Sequence, residues 1–343
     1  MIMKKILLAI LLAMPLAASA YDFMVDGVAY KVISLSGLTC EVTKGCLPRN
    51  GKLKIPAEVI YEGRIFKVLG IGDDGVADYL SIKELVIENG PTYIGEFAFF
   101  GQEFKEIVIP PSINRIRDFA FSSNKIDVLT ISYSDEPLGE ISSWAFDDTT
   151  ITTLFLLRPV VEGTLPVMLS RSVENFVIGE KVRRLGEHDA PLFGMWSLKR
   201  LEIGMRLREL PNLKEGEDLE YIAIFSMRPP VASGFSERTK LKTTLYVPVG
   251  AKKIYEKTNI WKEFWHIEER EDLTPCMPNI PDVNQDDKFG QKDFTDLVDY
   301  IMGKKPENVT PVTADVNYDG TVNITDIVSL TNVYCKLMEE AGE

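Results

Sequence analysis

Two stretches near the C-terminus place oxygen-bearing side chains at alternate positions. Asp282, Asn284 and Asp286 form the first, with Asp293 seven residues further on; Asp315, Asn317 and Asp319 form the second, with Asp326 at the same offset. Counted as loops, these are positions 1, 3, 5 and 12, the spacing at which a chain wraps a hard cation of Ca²⁺ size in oxygen ligands. In the second loop Gly320 supplies the sharp turn, Thr321 offers its carbonyl at position 7, and Asn323 acts at position 9 through a water. In the first loop Lys288 offers the position-7 carbonyl, Asp287 replaces the turn glycine and Gly290 has no side-chain oxygen at position 9. The pattern predicts two Ca²⁺ sites, the second tighter.

Helices must position these loops. Phe294, Leu297, Val298, Ile301 and Met302 recur at helical spacing after the first loop, with Gly303 as a natural C-cap. Ile327, Leu330, Tyr334 and Leu337 do the same after the second. Pro278 and Pro281 precede the first loop and Pro311 the second, so each unit reads as a loop followed by one helix, with no entering helix. Residues 279–338 thereby resemble the type I dockerin family. The resemblance implies two loop-helix units packed antiparallel with near two-fold symmetry, docking onto a cohesin domain. The contact positions it implies are Gln291, Lys292, Val298 and Asp299 in one unit and Ile324, Thr325, Thr331 and Asn332 in the other. The two sets differ in character. The rival partner for this tail is the chain's own solenoid, with calcium stabilising a structural cap.

Upstream, an apolar-x-apolar triplet returns at Leu85, Ile107, Leu129, Leu154, Phe176, Leu201, Ile222 and Leu245, in steps of 22, 22, 25, 22, 25, 21 and 23 residues. Such a period means a solenoid of leucine-rich class with one short strand per coil. Ile94-Gly95-Glu96-Phe97-Ala98-Phe99 parallels Ile116-Arg117-Asp118-Phe119-Ala120-Phe121, and Ile141 to Phe146 is a looser copy. Residues 21–267 resemble the BspA-type leucine-rich repeat family of bacterial surface proteins, which implies adhesion to host proteins or other cells. The expected fold is a β-rich solenoid of parallel strands followed by a small α-helical calcium module. The middle residues of the triplets, Val86, Val108, Thr130, Phe155, Val177, Glu202, Ala223 and Tyr246, should point away from the packed side. A binding strip and plain β-propensity both account for their apolar character; Phe155 and Tyr246 fit the second account least well.

The chain opens like a secretory signal peptide: Lys4 and Lys5, an apolar run from Ile6 to Leu16, and Ala18-Ser19-Ala20 as the cleavage site. That run is too short to span a bilayer, and no other run qualifies. Export to the cell surface, periplasm or medium is expected, with cleavage after Ala20. Loss of the leader would leave a net charge of −15, and residues 272–343 alone hold 14 acids against 5 bases. That acidity argues against nucleic acid as a partner. Four cysteines in an exported chain suggest pairing as Cys40–Cys46 and Cys276–Cys335, with free buried thiols as the alternative. The expected division is a leader at 1–20, a cap and first coil at 21–80, the solenoid with its C-terminal cap at 81–270, and the calcium module at 271–343.

Other motifs carry no weight. Gly70-Ile71-Gly72-Asp73-Asp74-Gly75 matches a dinucleotide fingerprint, but a crossover helix would not fit before the next strand. Ser122-Ser123-Asn124-Lys125 has no supporting acyl-enzyme motif. His188 and His266 are the only histidines and lie far apart, which excludes a multi-histidine metal site. The reading is an exported non-enzymatic binding protein, its solenoid engaging a protein or glycan and its tail mediating calcium-dependent assembly. The alternatives are the structural cap and an accessory component of a polysaccharide-degrading system.

Overall fold

In the computed structural model every predicted triplet lies in a strand: Glu84–Ile87, Glu103–Ile109, Lys125–Ile131, Thr150–Leu156, Asn175–Ile178, Arg200–Ile203, Tyr221–Ile224 and Thr244–Pro248. The structure describes residues 20–76, 82–161, 172–185, 196–273 apart from 211, 215 and 218, 282–286, 289–316 and 321–341, without the side chains of 312 and 335–341. The expected leader lies outside these residues. The fold is a parallel β-solenoid of about eight turns with about 23-residue spacing, with helices at the C-terminus. Contacts divide the chain into two units, residues 1–220 with 231–239, and residues 221–230 with 240–343.

In the first unit the triplets pair in register, Ile107 with Leu129, Leu129 with Leu154, Leu154 with Phe176 and Phe176 with Leu201. A second run of short parallel strands, Tyr93–Ile94, Arg115–Ile116 and Glu140–Ile141, lies half a coil away. The outer residues of each triplet are buried, because a strand sends alternate side chains to opposite faces. Inside, Phe99, Phe121 and Phe146 form a buried ladder with centroid separations of 5.3 and 5.1 Å. Arg158 is also buried: its Nη1 donates to the Pro111 carbonyl at 2.7 Å and its Nη2 to that of Ile113 at 2.5 Å, two coils back. Burial pulls its guanidinium down to about 10.

The dinucleotide-like glycines serve coil-to-coil approach. A Cβ on Gly70 would lie 2.6 Å from the Tyr93 ring, and one on Gly95 would lie 2.5 Å from the Gly72 backbone. Of the triplet centres, Val86 and Val108 are exposed, and Thr130, Phe155, Val177, Glu202 and Tyr246 are half-buried. Ala223 departs from the expectation and is fully buried. It pairs with Tyr246, whose ring packs 5.0 Å from that of Tyr221.

Cys40 and Cys46 are separate buried thiols, against the expected bridge. Cys40 lies in the Thr39–Val42 strand and aims its Sγ at the Lys67 carbonyl, 3.7 Å away. Cys46 accepts the Ala29 N–H at 3.4 Å and donates to the Thr43 carbonyl at 3.4 Å. The turn between them directs the two sulfurs to different partners. Burial, followed by the charge on Glu41, pushes the Cys40 thiol up to about 12, leaving little reactive thiolate at neutral pH. Cys276 and the Cys335 side chain lie outside the described residues.

Two outcomes follow. Cys40 and Cys46 should resist alkylation in the native protein and react once it is unfolded, as read by differential labelling and peptide mass mapping. Phe121→Ala should cost about 3–5 kcal/mol in urea unfolding, and Phe119→Ala, on the half-buried outer side, should cost less.

Candidate calcium-binding and docking module

The tail has its own apolar core of Val283, Leu297, Ala314, Val316 and Leu330. Phe289, Phe294, Tyr300, Ile301, Val309, Val322 and Ile327 pack around it. Val283 and Val316 each occupy loop position 2, so the loops are pinned by their second residues as well as by the helices that follow. Sequence reading missed this contribution; the signal was a valine repeated at the same loop position. The helices run Gln291–Ile301 and Ile324–Ala341.

One expectation is corrected. A one-turn helix, Pro311–Ala314, does enter the second loop. Proline at its first position forfeits no helical hydrogen bond, and the Thr310 Oγ1 accepts the Thr313 N–H at 3.1 Å to cap it.

The position-12 carboxylates are the most constrained groups in the module. Asp293 and Asp326 are 1% and 0% exposed despite their charge. Each reaches back to the backbone N–H at loop position 9: Gly290 to Asp293 Oδ2 at 2.9 Å, and Asn323 to Asp326 Oδ2 at 2.8 Å. The same carboxylate thus closes the loop and caps the helix that follows. Asp293 Oδ1 also accepts the Val283 N–H at 2.8 Å and that of Asn284 at 3.4 Å. Burial raises the Asp293 carboxyl above its ordinary range and the charge on Asp282 adds to the rise, while the three backbone donors pull against it.

The donor set fits a divalent cation. Asp282 Oδ1 and Asn284 Oδ1 both turn toward the Asp286 N–H, at 3.0 and 3.1 Å, which curls the loop around its carboxylates. Asn284 is 1% exposed and donates its Nδ2 to Asp296 Oδ2 at 2.9 Å. Two carboxylates in one loop, Asp282 and the buried Asp293, would both be stabilised by a cation held between them. In the second loop Asn323 Oδ1 accepts the Thr325 N–H at 2.9 Å and its Nδ2 donates to the Thr321 carbonyl at 3.2 Å. Asp315 is half-buried. Lys288, Asn317 and Asp319 lie outside the described residues. Among the described residues no group of three or more His, Cys, Asp or Glu converges as a ready metal site.

The expected contact residues lie on the surface. Gln291, Lys292, Thr325, Thr331 and Asn332 are exposed, as are Val298 at 40% and Ile324 at 65%, while Asp299 is half-buried and paired with Lys304 at 2.7 Å. Lys292 lies 3.7 Å from Asp286 and 3.6 Å from Asp296. Met302 and Val328, four residues beyond Val298 and Ile324, extend the exposed apolar set at 74% and 55%. Met302 was placed on the helix after the first loop but not among the contact residues, and Val328 was missed. The i, i+4 spacing was the signal for both.

If each loop holds a cation, as its spacing predicts, Asp326→Ala and Asp293→Ala should each abolish Ca²⁺ uptake by their own loop in calorimetry, Asp326→Ala removing the one expected to be tighter. Loading a site about 100-fold above its dissociation constant should add about 2.7 kcal/mol of stability; a chelator should remove it and lower the melting temperature.

Residues 70–191 match the BspA type leucine rich repeat region in six copies, and residues 280–333 match the dockerin type I domain. Dockerin type I domains are generally calcium-binding. No curated protein matches the chain. Three solved structures align over 73% of it at 14% identity. A leucine rich cell surface protein from Faecalibacterium prausnitzii A2-165 is covered over 96% of its length, with a TM-score of 0.21. A leucine-rich repeat protein from Bacteroides ovatus ATCC 8483 is covered over 100%, with a TM-score of 0.20. The pneumococcal vaccine antigen PcpA is covered over 98%, with a TM-score of 0.25. On its two family matches, the chain carries a BspA-type leucine-rich repeat region followed by a type I dockerin domain.

Proposed function

We propose that this is an exported binding and assembly protein whose solenoid recognises a macromolecule and whose tail docks, calcium-loaded, onto a cohesin-like domain. Both matched modules are non-catalytic kinds. Among the described residues no helix is long and apolar enough to cross a membrane. The observation that carries the docking reading is an exposed apolar set on a module that already has its own core. Val298, Met302, Ile324 and Val328 are all exposed. Their counterparts in the other loop-helix unit, offset by 33 residues, are Thr331, Cys335, Gln291 and Thr295. A docking surface drawn from the apolar set has no equivalent on the symmetry-related side, which supports a single docking orientation.

A second reading has one observation in its favour. Arg228 Nη2 donates to the Asp315 carbonyl at 2.7 Å, joining a loop of the last coils to the second calcium loop within one unit. In that reading the tail is a calcium-stabilised cap. The exposure of Val298 and Ile324 weighs against their burial on the solenoid. An accessory place in a polysaccharide-degrading assembly is compatible with either reading; turnover of polysaccharide by the purified chain would overturn the non-enzymatic assignment.

Val298→Asp and Ile324→Asp should each weaken binding to a cohesin domain by about 2 kcal/mol or more, with Ca²⁺ affinity and melting temperature nearly unchanged. A cohesin panel tested by calorimetry with calcium and with chelator is the measurement. Absence of binding throughout, with both variants lowering the melting temperature of the chain, would favour the cap.

A further inference from the structure

The coils of the first unit carry a second, outer aromatic ladder. Phe97 and Phe119 stack at 5.0 Å and 11°, Phe119 and Trp144 lie 6.1 Å apart, and Phe100 meets Phe97 edge-on at 5.9 Å. Phe97 and Phe119 are half-buried, Phe100 is 39% exposed and Trp144 51%. The inner ladder of Phe99, Phe121 and Phe146 already supplies the core. Phe97 and Phe119 hold left-handed backbone, φ 52° and 55°, where bulky side chains are rare. That conformation lets each N–H reach the next coil: Phe97 to the Asp118 carbonyl at 3.2 Å, and Phe119 to that of Trp144 at 3.1 Å. One coil earlier Asp74 does the same, with φ 53° and a 2.7 Å bond to the Glu96 carbonyl. An acid suffices for the backbone, so the aromatic identity of the later positions has another cause.

The surroundings of the ladder are acidic. Glu96, Asp118, Asp147 and Asp148 flank it in sequence and form no ion pair among the described residues. The neighbouring bases are engaged, Arg117 with Asp73 at 3.1 Å and Lys44 with Asp74 at 2.9 Å. Stacked rings turn their edges to solvent, and Trp144 is 51% exposed; this is not the row of open faces on which sugar rings would lie. An arginine suits this arrangement: its guanidinium stacks on an indole face and pairs with carboxylates. We propose that the strip Phe97, Phe100, Phe119 and Trp144 is a docking surface for an arginine-bearing, otherwise apolar protein segment, seated on Trp144 and paired with Asp147 or Asp148. The proposal rests on the solenoid being the recognition element.

The probe is a phage-displayed library of random dodecapeptides selected on the full calcium-loaded chain. Selected peptides should carry arginine beside aliphatic residues and bind at least about tenfold more weakly to Trp144→Ser and to Asp147→Asn/Asp148→Asn. Trp144→Phe should retain most of the binding, and rising salt should weaken it. Peptides indifferent to these variants would overturn this surface and leave recognition by the solenoid standing. Peptides without basic residues would overturn its chemistry. A library that yields no binder would count against both.

Discussion

Each coil must lie against the next at a fixed step, because a single coil has an apolar edge and unpaired backbone groups that only a neighbour can satisfy. The step is set by bonds repeated once per turn: Gly95 N–H to the Ile71 carbonyl at 2.8 Å, Arg117 to Ile94 at 3.0 Å and Ser142 to Ile116 at 2.9 Å. Those bonds bring the backbones so close that Gly95 has no room for a Cβ beside Gly72. The same step sets the stacking of both phenylalanine ladders and the in-register pairing of the triplets. A slip of one residue would turn the core side chains outward.

The calcium module obeys a different constraint. Its helices are held by a small core that includes a residue from each loop, and by two buried carboxylates. Apolar packing alone would oppose burying those acids. Backbone donors offset part of that cost, and a cation in each loop would offset more. A bound cation would thereby couple ion binding to folding through these carboxylates.

The parts legible in the sequence were those with a strict period or a strict spacing. The strand triplets repeat with little variation, so all eight could be placed. The acids repeated at fixed intervals marked the two loop-helix units, and residues 280–333 match the dockerin type I domain. Features set by neighbours in space were not legible. Nothing in the stretch from Cys40 to Cys46 says that the two sulfurs point to different carbonyls. Nothing in the triplet Ile222-Ala223-Ile224 marks its centre as fully buried. The left-handed backbone at Phe97 and Phe119 follows from carbonyls one coil away, which override the local preference of a bulky residue. The entering helix before Asp315 was hidden by a rule applied too strictly, since proline is unwelcome inside a helix but suited to its first position.

Arg158 constrains where this array can change length. In a repeat array most contacts join a coil only to its immediate neighbour, so its stability is close to a sum over adjacent pairs. The Arg158 guanidinium instead grips carbonyls at Pro111 and Ile113, skipping over the coil between. Excision of that coil would leave a buried charge without its acceptors, and duplication would move them out of reach. Adding or removing a coil between Pro111 and Arg158 should therefore cost the array more stability than the same change outside this span.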